Sequence, residues 1–320
     1  MPPVTLALAP MQGILDDRLR DHLTALGGVD YCVSEFARVS FAPLSDRGLL
    51  KECPELQRGG RTASGVPVYL QLLGGLPGPM AASAREAARL GATVIDLNFG
   101  CPVGRVTRND GGAALLRDPD RLRSVTAAVR EAVPDAVLVS AKLRLGWEDP
   151  SDAVALARAA EAGGAAWLTI HARTRVQAYA GRADWTWIAR VREAVQVPVV
   201  ANGDITTPEE LERCAAVTGC DRFMIGRGAL ARPETFRVLR GQDAWWPSWR
   251  RLALLQIFLD RLEAERPGHD RAILGRVKGW AAYMATADEA IAGVFESLKR
   301  AQEVAGADQV LRAAVERLRG

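Results

Sequence analysis

Apolar residues follow two alternating rhythms as far as Gly228 and only one of them beyond it. The first is a short run of Val, Ile, Leu and Ala at consecutive positions. It recurs in eight places: residues 4–10 (VTLALAP), 31–39 (YCVSEFARV), 66–74 (VPVYLQLLG), 93–100 (TVIDLNFG), 136–146 (AVLVSAKLRLG), 167–173 (WLTIHAR), 197–204 (VPVVANGD) and 222–228 (RFMIGRG). Runs that are apolar on both sides of the pleat fit parallel strands covered on both faces. The second rhythm places apolar residues three and four apart with charges opposite, the pattern of an amphipathic helix. Residues 79–92 and 118–133 carry it. Residues 151–164 open on Ser151 or Asp152 as a cap and close on glycines. Residues 207–219 open on Thr207, with Pro208 at the first helical position and Glu210 placed for a capping box. Eight such alternations predict an α/β fold, a (β/α)8 TIM barrel. An open doubly wound sheet is the alternative, and eight strands at this spacing are long for it. From Trp245 onward the pattern changes, and every segment has the helical rhythm. The chain is therefore expected to divide into a barrel over residues 1–243 and a small all-helical C-terminal domain over 244–320, joined in the stretch Gly241–Pro247.

Composition narrows the class without naming it. The formal net charge of +3 permits an acidic partner such as RNA but does not argue for one. The N-terminal MPPVTLALAPMQG lacks the basic start of a signal peptide. No apolar stretch reaches the roughly 18 residues that a membrane span needs. A cytoplasmic location is the expectation. Five cysteines, at 32, 53, 101, 214 and 220, include no C-x-x-C pair and read as reduced thiols. Three histidines leave few ligands for a zinc hydrolase, and no metal is expected.

The polar residues change the picture most. They collect at the C-terminal ends of the predicted strands, where barrels of this type build their sites. Strand one ends in Pro10, Met11 and Gln12; strand two carries Glu35 and Arg38; strand three carries Gln71. Asn98 and Cys101 end strand four, Lys142 and Arg144 lie in strand five, and His171 and Arg173 end strand six. The seventh run closes on Asn202, Gly203 and Asp204, the eighth on Gly226, Arg227 and Gly228. A dehydrated Gln, Lys, His or Asn needs a partner, so one shared polar pocket is the economical explanation. The glycines after strands seven and eight, with Arg227, fit a phosphate cradle. Gln71 and Lys142 could serve the pyrimidine edge of a flavin, and Met11 its apolar part.

Taken together, these positions resemble the tRNA-dihydrouridine synthase family. The segments that carry the resemblance are LAPMQG, EFARV, VYLQLLG, IDLNFGCP with GGAALL after it, SAKLRLGW, IHART, VVANGDI and FMIGRGAL, in the family's order across nearly the whole barrel. SEFARV, CPELQ ahead of RTASG, and GRVKGWAAYM look most like the bacterial class C branch, which modifies the uridine at position 16 of tRNA. The resemblance implies an enzyme in which NADPH reduces FMN, the reduced flavin gives hydride to C6 of a uracil, and a cysteine gives the proton to C5. That cysteine would be Cys101. Pro102 stiffens the chain beside it by fixing φ at about −65°. By the same resemblance FMN would contact Pro10, Met11, Gln12, Gln71, Lys142, His171, Asn202, Gly203, Asp204, Gly226 and Arg227. Asn98 and Arg144 would meet the target uridine. Arg38, Tyr179 and, from the helical domain, Arg276, Lys278 and Lys299 would hold the tRNA. No DNA, membrane or obligate protein partner is implied.

Two departures stand out. Relatives commonly carry Lys two residues after the Cys-Pro pair, where this chain has Gly104 followed by Arg105. Asn109 and Asp110 put an acidic group where relatives are often glycine-rich. Three other readings stay open: a flavin-dependent reductase of a free pyrimidine or small enone, a flavin-free phosphate-binding lyase or isomerase, and an RNA-binding protein without chemistry.

Overall fold

A computed structural model describes residues 4–102 and 111–320. Gly104, Arg105, Asn109 and Asp110 lie outside the described residues. The first of two compact units comprises Met1–Thr24 and Val29–Ile225. All eight predicted runs form strands in it, each shorter than its apolar run. In chain order the elements are β1 (Thr5–Leu8), α1 (Asp17–Thr24), β2 (Tyr31–Arg38), α2 (Asp46–Glu52), β3 (Val68–Leu73), α3 (Pro77–Arg89), β4 (Val94–Asn98), α4 (Pro119–Ala132), β5 (Leu138–Arg144), α5 (Ala153–Ala162), β6 (Trp167–His171), α6 (Thr186–Ala194), β7 (Val199–Asn202), α7 (Pro208–Thr218) and β8 (Arg222–Ile225). Every strand pairs in parallel with its sequence neighbour, and β1 pairs with β8. The result is a closed barrel in the order β1 to β8, not an open sheet.

The interior is layered. Toward the strand starts, Ala7, Tyr31, Val33, Val200 and Met224 are buried with Tyr69 and Trp167 against them, and the Tyr31 and Tyr69 rings stack at 4.7 Å. Inward-facing positions repeat every second residue. Two residues beyond Tyr69 and Trp167 stand Gln71 and Thr169, in a second layer that is polar and still buried. An apolar plug thus supports a polar floor.

The caps follow local chemistry. Asp118 accepts from Arg121 N at 3.0 Å to start α4. Thr207 accepts from Glu210 N at 3.2 Å to start α7, but Glu210 reaches back to Thr206 rather than to the cap residue itself. The expected Ser151 or Asp152 cap on α5 is not formed. A single 3-10 turn, Pro150–Asp152, precedes the helix, and Asp149 caps that turn by accepting from Ser151 N at 2.8 Å. Beneath α1, Arg20 and Glu55 form a fully buried ion pair through two 2.9 Å bonds, and Arg20 also donates to Leu15 O at 2.7 Å.

The second compact unit comprises Ala25–Gly28 and Gly226–Gly320. It holds α8 (Arg227–Ala231), α9 (Thr235–Leu239), α10 (Ser248–Glu265), α11 (Asp270–Ala285), α12 (Glu289–Leu298) and α13 (Val304–Arg319). The division at Gly226 precedes the expected junction at Gly241–Pro247, for a packing reason. Trp280 of α11 is fully buried, donates to Leu230 O at 3.0 Å and meets Phe258 edge-on at 5.3 Å. Arg251 bonds Glu234 at 2.6 Å and Asp288 at 2.8 Å. Residues 226–243 therefore pack as part of the helices. No helix among the described residues is long and apolar enough to cross a membrane.

Candidate active site

Register brings predicted polar residues together, with Asp96 and Ser140 between them. Gln71 pairs with Asp96, Asp96 with Ser140, Asn98 with Lys142, Arg144 with His171, and His171 with Asn202. Side-chain bonds link several of them, within these pairs and across them. Gln71 Nε2 donates to Asp96 Oδ2 at 2.7 Å, Ser140 Oγ donates to Asp96 Oδ1 at 2.6 Å, and Asn98 Nδ2 donates to Gln71 Oε1 at 2.8 Å. Lys142 Nζ donates to Asn202 Oδ1 at 3.1 Å, and Asn202 Nδ2 to Met224 O at 2.7 Å. Gln71 has no exposed surface, so it lies within the floor and reaches upward through Asn98.

Asn98 begins the arrangement around Cys101. Its Oδ1 accepts from Gly100 N at 3.0 Å and Cys101 N at 2.9 Å, turning the chain sharply as it leaves β4. Arg144 Nε donates to Gly100 O at 2.8 Å, Ala113 N to Cys101 O at 3.2 Å, and Arg175 Nη2 to Pro102 O at 3.2 Å. Arg175 is itself stacked 4.5 Å from the Trp147 ring, whose centroid lies 3.5 Å from the Arg117 guanidinium. Three consecutive residues are thus fixed from several sides. Cys101 alone among the five cysteines is not buried. Burial pushes the Cys32 and Cys214 thiols up to about 12, and Cys53 and Cys220 up as well. Those four are inert packing residues.

The β6 and β7 ends form a second group. Arg173, 2% exposed, donates to Asp204 Oδ2 at 2.6 Å and Gly181 O at 2.7 Å. Asp204 adopts φ +54° and Gly203 φ +121°. A Cβ on Gly203 would stand 3.1 Å from Ala183 Cβ, so this turn needs glycine for both its dihedral and its space. His171 meets the exposed Tyr179 ring edge-on at 6.2 Å, and Arg144 lies 5.3 Å from that ring. On β1's exit, Pro10 and Met11 are partly exposed, and Gln12 Oε1 accepts from Phe36 N at 2.9 Å. Arg38 ends β2 and is also partly exposed. In the second unit, Gly226 precedes α8, which Arg227 begins with an exposed side chain.

A family model described as dihydrouridine synthase matches residues 7–317. The chain belongs to the dihydrouridine synthase family. It is 45% identical over 98% of its length to the tRNA-dihydrouridine(16) synthase of Ralstonia nicotianae, covering 97% of that protein. To the enzyme of the same name from Pseudomonas putida it is 42% identical, over 96% of each. Among solved structures, a 2-naphthoyl-CoA reductase complex matches 74% of this chain and 50% of its own, with TM-score 0.57 and 13% identity, a likeness of fold alone. As a member of this family the chain is an oxidoreductase that reduces a uridine in tRNA to dihydrouridine.

One residue of this synthase escaped the reading of strand ends. Asp96 is 1% exposed and organises the floor from mid-strand. Its signal was present in the sequence: an acid inside the apolar run TVIDLNFG. Burial, opposed by the bonds from Gln71 and Ser140, raises its carboxyl to about 6. Burial, then Arg144, lowers the Lys142 ammonium to about 8. A raised carboxyl contributes stability that is full below its ordinary value of 3.8 and is lost as pH rises through about 6. The lowered ammonium acts in the opposite direction and weighs against the fold below about 8. Asp96→Asn should therefore flatten the stability profile between pH 4 and 7 by up to about 3 kcal/mol, read by urea unfolding across that window. An unchanged profile would mean Asp96 titrates normally.

Proposed function

We propose that the enzyme reduces the uridine at position 16 of tRNA, with FMN as resident flavin, NADPH as reductant and Cys101 as proton donor. The observation that carries this reading is the fixed, partly exposed Cys101 at the C-terminal end of a closed barrel, beside a polar floor that includes one cation, Lys142. The donor set suits a flavin: an ammonium, a histidine edge, backbone at Gly203 and a polarisable Met11. Bound FMN, once reduced at the expense of NADPH, supplies the hydride that reaches uracil C6.

The chain's own residues do the rest. Cys101 Sγ–H gives its proton to C5, where negative charge would otherwise build, and is reprotonated from solvent. One NADPH and one proton are consumed per dihydrouridine formed. Arg144 and Asn98, assigned to the target uridine, also hold the backbone at Gly100 and Cys101 that leads to the thiol. Lys142 and His171 are assigned to the flavin, with Asn202 orienting the ammonium, and Gln71 supports Asn98 from below. Pro10, Met11, Gln12, Gly203 and Asp204 are assigned to the cofactor, as are Gly226 and Arg227. Arg38 and Tyr179 are assigned to the RNA.

Incubation of the protein with FMN, NADPH and unmodified tRNA, followed by mass mapping, tests the reading. Dihydrouridine at position 16 is expected; a product at another position alone would reassign the target. The helical unit is assigned to RNA through Arg276, Lys278 and Lys299. Lys278 Nζ already donates to Lys299 O at 3.0 Å and Ala301 O at 2.6 Å, satisfying carbonyls at the end of α12. Reversing its charge would damage that helix end and confuse the result. Arg276→Ala with Lys299→Ala is cleaner. It should raise the KM for tRNA and lower the salt slope by about 2, while NADPH-driven flavin reduction is spared. An unchanged slope would remove the helical unit from the RNA contact.

A further inference from the structure

Large apolar side chains left in solvent are few, and their positions are not random. Among the described residues they are Phe41, Leu138, Val176, Tyr179, Val217 and Ile257. Phe41, Val176 and Tyr179 lie on loops that leave the C-terminal ends of β2 and β6. Those two strands stand four apart around the eight-stranded barrel, on opposite sides of its mouth. Phe41 is the most exposed of the six, at 85%.

Its loop is built to hold it there. On one side Val39 N donates to Leu73 O at 2.8 Å, and Val39 is buried. Gly74 closes against the same point: a Cβ there would stand 2.8 Å from Val39 O. On the other side Leu44 N donates to Ser83 Oγ of α3 at 3.0 Å, and Ser45 caps α2. Only Ser40, Phe41, Ala42 and Pro43 project, all exposed, and Pro43 stiffens the descent. A phenyl ring at the tip of a finger anchored at both ends contributes almost nothing to folding.

We propose that Phe41 is a base-stacking finger: on tRNA binding it packs against a nucleobase next to the target uridine. The inference rests on the tRNA-uridine reading of the site. A uridine that reaches the floor must leave its stack, and its neighbours then lose a partner. An aromatic ring at the mouth restores one, because every base has a π-face. Cations near the finger suit the flanking phosphates: Arg38 ends β2 and Arg47 is exposed on α2. A protein partner fits less well, since such partners cover contiguous apolar patches and here the exposed side chains sit apart around an opening.

Phe41→Ala and Phe41→Trp test the proposal against wild type, with the full chain, FMN, NADPH and unmodified tRNA. Phe41→Ala should raise the KM for tRNA roughly 5- to 100-fold, the range of one lost base stack. Melting temperature and flavin reduction by NADPH without tRNA should stay at wild-type values. Phe41→Trp should restore the KM, and its added emission, taken as the difference from wild type, should be quenched when tRNA binds. A KM for Phe41→Ala within twofold of wild type would overturn the proposal, as would unquenched emission at saturating tRNA. A change in sedimentation mass of the free protein with the KM intact would assign Phe41 to a protein contact instead. Failure of wild type to form any dihydrouridine would fault the functional reading itself, whatever the finger does.

Discussion

Cys101→Ala is expected to consume NADPH in flavin reduction at the wild-type rate and to form dihydrouridine about 100- to 10,000-fold more slowly, the usual worth of a positioned acid. The substitution removes one sulfur from a partly exposed site. The bonds that shape the turn engage its backbone: Asn98 Oδ1 accepts from Gly100 N and Cys101 N, while Arg144, Ala113 and Arg175 donate to the carbonyls of Gly100, Cys101 and Pro102. The turn therefore survives, and the loss is chemical. Single-turnover mixing of reduced enzyme with tRNA separates the two half-reactions. Full turnover by the variant would show that the proton arrives by another route. Equal loss in both half-reactions would place the thiol in cofactor binding.

Arg20→Met is expected to lower stability by about 3–5 kcal/mol, because it leaves the Glu55 carboxylate buried without its partner. Both side chains are fully enclosed and joined by two bonds, so no water can substitute. The damage should extend to the site, since Arg20 also holds Leu15 O, and Leu15 N in turn donates to Met11 O at 3.0 Å. The double change Arg20→Met with Glu55→Leu should recover much of the loss, as apolar pairs of similar volume often do. Urea unfolding of the three variants decides; a single-variant cost below about 1 kcal/mol would show that the pocket relaxes to admit water.

The strands were legible because each is apolar on both sides of the pleat, a demand that parallel sheets place on sequence directly. Their C-terminal ends read too long for the same reason that they were informative: Asn98, His171 and Asn202 close their strands, and the residues after them turn into the site. The helices α1, α2 and α6 carry too few turns to show a clear rhythm. Asp96 was visible as an acid in an apolar run, but its partners, Gln71 and Ser140, come from neighbouring strands and leave no local pattern. The Arg117–Trp147–Arg175 stack is equally silent in sequence, because its members meet only once the barrel closes. The boundary at Gly226 depended on where the Trp280 indole found its acceptor, Leu230 O, a pairing that glycine and proline positions do not reveal. The contact that Lys278 makes with the end of a neighbouring helix is likewise unannounced by any local pattern.

The turn at Gly100–Pro102 is held by side chains from β4, β5 and the segment after β6, and Arg144 ties it to the rim through Ala178 O and Tyr179, whereas the loop at 40–43 is anchored to β3 and α3 instead. If Cys101 is the proton donor and Phe41 the stacking finger proposed above, the two stand on separately anchored segments of this barrel. Descendants could then retune which nucleotide they accept by exchanging residues 40–43 without moving the Cys101 turn, and an engineer seeking a new modification site should start at that loop and leave Arg144 and its partners alone.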